Sequence, residues 1–303
     1  MNRRPPLTRA KRAELARQAL RAAIRLRIQL DVPPTEALCI YDAAESLGIE
    51  VRFVDIPSME GMYVRNSGSN SQPIILVSAL RPAGRQASTT AHELGHHAFG
   101  HGTRIDEYIA DADEQREGNA LNSEEMIANM FAGFFLMPKA AVEHGFAART
   151  CAPVSATPRQ VFAVAGWLGV GYGTLIHHMR SSLGMLSFGE AKRLLSIQPK
   201  RIRQEILGAT TPSDCFLVDQ TWMGRPLDLQ VGDAALVSAG VEIESSCLSL
   251  GRTTPEGLRV VEAVTTGLGR LVDSTWATFV RVRPRGFVGR SIFRHLESAE
   301  DEP

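Results

Sequence analysis

His92-Glu93-Leu94-Gly95-His96 decides how this chain is read. On an α-helix, residues i and i+4 lie one above the other, so His92 and His96 can turn ring nitrogens toward a single ion. Glu93, one step round the helix, can reach a water held in the ion's open position. The pentad thus offers two metal ligands and a general base for hydrolysis. Its surroundings favour a helix. Gln86 to Phe99 contains no proline and is followed by Gly100, a residue suited to the left-handed position past a helix end. Upstream, Pro73 to Ser78 is a short apolar, β-branched run of the kind that forms a strand leading into such a helix. The plain alternative is a surface helix with a chance histidine pair.

A site of this kind needs a third protein ligand. One large class takes a third histidine ten residues after the first, but that position here is Gly102. His101 comes one residue early, and His97 is rotated about 100° from His96, away from the same ion. The remaining source is a carboxylate from a second helix. Arg104 to Gly118 is acidic and lacks an apolar period, so a solvated segment is expected there. After it, Asn122 or Ser123 can cap a helix from Glu124 to Met137 that Pro138 stops. Glu125 lies in its first turn on the line of Asn129, Ala132 and Leu136, while Glu124 is rotated off that line. Asn122-x-x-Glu125 fits a capping box equally well, and spacing alone does not separate ligand from cap.

Two blocks in order, Thr89 to His101 and then Glu125-x-x-Ala128-Asn129-x-Phe131-Ala132 with Leu136-Met137-Pro138, resemble the ImmA/IrrE family of bacterial metallopeptidases. The resemblance covers roughly residues 35–185. It implies a compact zincin core, Zn2+ as cofactor, and Glu125 as the third ligand beside His92 and His96. It also implies a substrate class, because members are typically encoded beside helix-turn-helix repressors or antitoxins that they cleave or inactivate. The expected reaction is peptide hydrolysis with Glu93 taking the proton of the attacking water. Tyr63 and Tyr108 are candidate donors to the oxyanion.

The expected fold is α+β: a zincin-like metallopeptidase core of short β-sheet, HExxH helix and following helices, then a helix-turn-helix-like pair and a small all-β C-terminal domain. The boundaries drawn are a basic arm (1–33), the catalytic domain (34–150), a helical segment (151–205), a β-rich domain (206–295) and an acidic tail (296–303). Within the core, Pro34 to Leu47 is expected as a helix. Val51 to Ile56, Gly61 to Arg65 and Pro73 to Ser78 are expected as strands, the last two joined as a hairpin through residues 66–70. An exposed strand edge beside the ion can hold an extended peptide by backbone pairing.

Charge cancels over the chain, with 33 basic against 33 acidic residues, yet residues 1–30 carry Arg3, Arg4, Arg9, Lys11, Arg12, Arg17, Arg21, Arg25 and Arg27 against Glu14 alone. Such an arm can bind nucleic acid or an acidic partner. It also fits a helix docking an apolar face (Leu15, Ala19, Ala22, Ala23, Leu26, Leu30) with its arginines solvated. Arg159 to Leu168 and Gly173 to Leu183, around Gly169-Val170-Gly171, form the helix-turn-helix-like pair. Only Arg180 is available there as a base reader, so direct DNA binding is the weaker use. From Ser213 to Pro284, β-rich runs separated by turn residues predict a small antiparallel barrel or sandwich, with partner recognition as its simplest role.

Cys39, Cys151, Cys215 and Cys247 are far apart without a C-x-x-C pair, which argues against a disulfide frame or a second zinc site. No apolar run is long enough to span a membrane, and the N-terminus lacks the apolar core of a signal peptide. A cytoplasmic enzyme is expected. The competing class is a regulator that neutralises a DNA-binding partner by contact alone.

Overall fold

The computed structural model describes residues 7–65, 72–107, 123–208 and 213–296. The chain is mixed α and β and divides into two compact units, Met1–Ala141 and Val142–Pro303.

The first unit opens with helix α1 (Arg9–Gln29), which Thr8 caps by accepting from the Lys11 N–H. Its buried side is Leu15, Ala19 and Ala23, with Arg27 in the same line. Arg27 departs from the solvated-arginine expectation. Its guanidinium donates to the carbonyls of Phe135 (2.7 Å), Pro33 (2.8 Å) and Glu36 (2.5 Å). Those bonds also account for a shorter second helix than expected. Helix α2 (Ile40–Ser46) starts six residues after Pro34, because the carbonyls of Pro33 and Glu36 face Arg27 and the chain between them turns.

Strands β1 (Glu50–Val54), β2 (Met59–Val64) and β3 (Ile74–Ser78) follow the alternation of the sequence: Val51 and Phe53 are buried while Arg52 between them is exposed. β1 runs parallel to β3, and β2 pairs antiparallel with β3 in the register Gly61↔Val77 and Tyr63↔Ile75. The turn expected at 66–70 lies outside the described residues. A further strand, β4 (Arg104–Glu107), pairs antiparallel with the other side of β2. It replaces the start of the expected solvated segment. Pairing with β2 satisfies backbone groups there, which local propensity does not foresee. Within this unit the strand order is β1-β3-β2-β4.

Helix α3 (Ala83–Ala98) returns across the sheet from β3. Buried Gln86 donates to the carbonyls of Ser78 and Ala79, tying the helix's first turn to the end of β3. Glu60 of β2 accepts from Arg81 (2.8 Å) and Arg85 (2.9 Å), which fixes the strand's register under the helix. Helix α4 (Ser123–Leu136) packs on both α3 and α1 through Ile127, Ala128, Phe131, Ala132 and Phe135. The unit boundary falls in helix α5 (Lys139–Ala147).

The second unit continues with α6 (Pro158–Leu168), which carries a Thr157/Gln160 capping box and ends at left-handed Gly169. Helices α7 (Tyr172–Ser181), α8 (Phe188–Leu195) and α9 (Pro199–Leu207) follow. Two mixed sheets complete it. One has the order β5 (Cys215–Leu217), β7 (Ala234–Val237), β10 (Arg259–Ala263), β9 (Leu248–Thr253); the other β6 (Leu227–Gln230), β12 (Ala277–Arg283), β11 (Gly267–Val272), β8 (Glu242–Glu244). The sheets are not purely antiparallel, since β5 pairs parallel with β7 and β6 with β12. The chain leaves the first sheet after β5, lays β6 in the second, and comes back as β7. Such a crossover is what parallel neighbours require. No helix among the described residues is long and apolar enough to cross a membrane.

Candidate metal centre

The pentad occupies the second half of α3, where His92, Glu93 and His96 are all buried and His96 is fully so. Helical spacing brings His92 Nε2 to 3.0 Å from His96 Nε2. The third donor arrives because two small residues let the helices cross closely. A Cβ built on Gly95 would lie 3.0 Å from Ala128 Cα and 3.1 Å from Phe131 Cδ1, so a larger residue would push α4 outward. At that separation Glu125, nearly one turn before Ala128, sets Oε2 3.3 Å from His92 Nε2 and 3.5 Å from His96 Nε2. Of the line expected to carry Glu125, Ala132 and Leu136 are buried, whereas Asn129 is exposed.

These donors fit a zinc ion. Tetrahedral coordination with bonds of about 2.0–2.1 Å spaces ligand atoms ~3.3 Å apart, and the three separations bracket that value. Two imidazoles with one carboxylate also match zinc's preferred donor chemistry. Hydrogen bonds from His92 first, and then His96, hold the Glu125 carboxyl well below the usual carboxylate range, so it stays charged. The Asn122 half of the alternative capping box lies outside the described residues.

Glu93 lies against the backbone of β2. A Cβ on Gly61 would fall 2.8 Å from Glu93 Oε1 and 2.4 Å from Thr89 Cγ2, a space only glycine leaves open. Gly61 was not among the sequence candidates. A glycine inside the Met59–Val64 run was the available signal, since it often marks close approach of another group to a strand.

Tyr63 and His97 form a separate pair. The Tyr63 hydroxyl is 3.0 Å from His97 Nδ1, with the rings edge-to-face. Burial raises the phenol's pKa, and burial followed by the Arg65 charge lowers that of His97, so a protonated phenol donates to a neutral imidazole. His97 is therefore outside the donor group, as its rotation on the helix required. Tyr108 lies outside the described residues.

His101, set aside as one residue early, meets His96 from the other side. Helix α3 ends in a Schellman turn: Gly100 takes φ +68°, its N–H bonds the His97 carbonyl, and the His101 N–H bonds the His96 carbonyl. That reversal carries the His101 ring back to His96, with Nδ1 2.8 Å from Nδ1.

Residues 44–151 match the family model described as the IrrE N-terminal-like domain, Peptidase M78, a metallopeptidase family. No curated protein matches the chain. Among solved structures, a Mycobacterium tuberculosis transcriptional regulator is similar at 16% identity and a TM-score of 0.32, over 54% of this chain and 46% of that one. The chain thus spans less than half the length of that regulator. The matched residues run from within α2 to just past α5 and contain the whole donor group, which supports an ImmA/IrrE-family assignment for this part of the chain.

Proposed function

We propose that this protein is a zinc-dependent, site-specific endopeptidase that cleaves a helix-turn-helix repressor or antitoxin in the cytoplasm. The observation that carries the proposal is the convergence of His92 Nε2, His96 Nε2 and Glu125 Oε2, with Glu93 buried beside them. In this scheme the sheet and helices of residues 50–136 are a zincin-like core, and α6 with α7 is a helix-turn-helix-like pair. His92, His96 and Glu125 hold the ion. Zinc in such a site supplies Lewis acidity, making water a nucleophile near neutral pH and polarising a carbonyl. Glu93 accepts the proton of the attacking water on a carboxylate oxygen and returns it to the leaving amine. Its seat against Gly61 restricts where that oxygen can lie. Tyr63 serves as oxyanion donor only by turning its hydroxyl away from His97. The substrate class rests on the family assignment of residues 44–151.

The test is to incubate the metal-loaded chain with the product of the neighbouring helix-turn-helix gene and read intact masses. Parallel reactions use Glu93→Gln, Glu125→Ala and chelated protein. A single cut that is absent from all three controls supports the proposal. An uncut partner that stays bound to Glu93→Gln as firmly as to the unaltered chain would replace it with neutralisation by contact.

A further inference from the structure

We infer that His101 is a positioning residue for the metal centre, fixing the His96 tautomer that leaves Nε2 free to bind an ion. The inference rests on the proposed metal site and extends it to a residue that is no ligand.

Proton counting leads to it. Two imidazole nitrogens 2.8 Å apart must share one proton, so either His96 Nδ1 donates to His101 Nδ1 or the reverse. The opposite nitrogen of His96 is the one in the donor group, 3.0 Å from His92 Nε2 and 3.5 Å from Glu125 Oε2. A nitrogen that coordinates a cation carries no proton. The single proton of neutral His96 therefore belongs on Nδ1, and His101 must accept it, which makes His101 the Nε2–H tautomer.

The geometry holds His101 to this task. The Schellman turn sets its backbone. Its ring stacks on Phe99 at 5.9 Å and 27°, and Phe99 meets Phe131 of α4 edge-on at 6.2 Å. His101 does not itself join the ligand group, because it touches the edge of the His96 ring opposite Nε2. A partner on the non-coordinating nitrogen of a ligand histidine sets ring orientation and basicity, and its loss costs ~10–100-fold in metal affinity.

The experiment measures zinc affinity of the full chain by competition with a chromogenic chelator, for the unaltered protein and for His101→Ala, His101→Asn and His96→Ala. Each apo protein is also melted, and the His96 tautomer of the unaltered zinc-loaded protein is read from long-range 1H–15N correlations. His101→Ala should weaken zinc ~10–100-fold. His101→Asn, whose side-chain oxygen stands near the lost Nδ1, should stay within a few-fold of the unaltered protein, and His96 should carry its proton on Nδ1. Unchanged affinity in His101→Ala beside a large loss in His96→Ala would overturn the inference while sparing the metal site. So would equal losses in both His101 variants, or a His96 proton on Nε2. Unchanged affinity in His96→Ala would remove the metal site and this inference with it.

Discussion

Polar groups are buried both at the α3–α4 crossing and in the β-sheets of the second unit, but on different terms. In the sheets, Asp228 and Asp233 each meet groups that donate to them. Asp228 of β6 accepts two parallel bonds from Arg281 of β12, at 2.7 and 2.8 Å, and stands 3.3 Å from Arg294. Buried Asp233 accepts from the backbone N–H groups of Asp214 and Gln230. At the crossing, two imidazole nitrogens of the same kind face each other at 3.0 Å and a charged carboxylate joins them. A group of donors aimed at one point favours a cation among them, whereas pairs that already complement each other leave nothing to bind. Buried charge marks a site only where it converges.

Variants in each region should act on different properties of the protein. Glu93→Gln should reduce cleavage by ~10²–10⁴-fold while zinc binding measured by chelator competition is retained; full-rate cleavage would remove Glu93 as base. On the sheet side, Asp228→Ala removes the carboxylate that takes both Arg281 bonds and stands 3.3 Å from buried Arg294. It should cost about 3 kcal/mol in urea unfolding with no change in zinc affinity, and a parallel loss of zinc would show that the two regions are not independent. Gly61→Ala intrudes on Glu93 and Thr89, so cleavage should fall roughly 100-fold, as for a misplacement of about 1 Å, again with metal retained.

The smallest effect concerns Asp233. Burial pushes its pKa up to about 6 from an ordinary 3.8, against the pull of the Gln230 N–H. The folded state then holds more protons than the unfolded one between these values. This residue's contribution to stability should therefore fall as pH rises from about 4 to 6, by about 2–3 kcal/mol at most. Urea midpoints at pH 4.5 and 7 should show this component in the unaltered chain and lack it in Asp233→Asn. An identical pH dependence in both would sink it.

The strongly periodic parts of the molecule were legible in the sequence. The pentad helix, its Gly100 stop and the Pro138-terminated helix stand within a few residues of where their pattern put them. Their spacing also made His92, His96 and Glu125 candidates, although spacing alone left Glu125 divided between ligand and cap. What stayed hidden depended on contacts distant in sequence. The pairing of β4 comes from β2, the shortened α2 from Arg27, and the use of Gly61 from a side chain on another element. His101 is a nearer case, because its position follows from the helix-ending turn and was missed by testing it only as a ligand.

Arg27 sets a limit on how small the catalytic unit can be made. The family match starts at residue 44, yet the last turn of α4, the helix that carries Glu125, gives its Phe135 carbonyl to a guanidinium seventeen residues earlier than that start. A cation there also complements the negative end of the helix. A fragment cut to the matched residues would lose this clasp and the α1 surface under α4, so the smallest piece expected to keep Glu125 in register begins at the Thr8 cap of α1. Helix α1, which precedes the family match, is mechanically the back wall of the helix that carries Glu125.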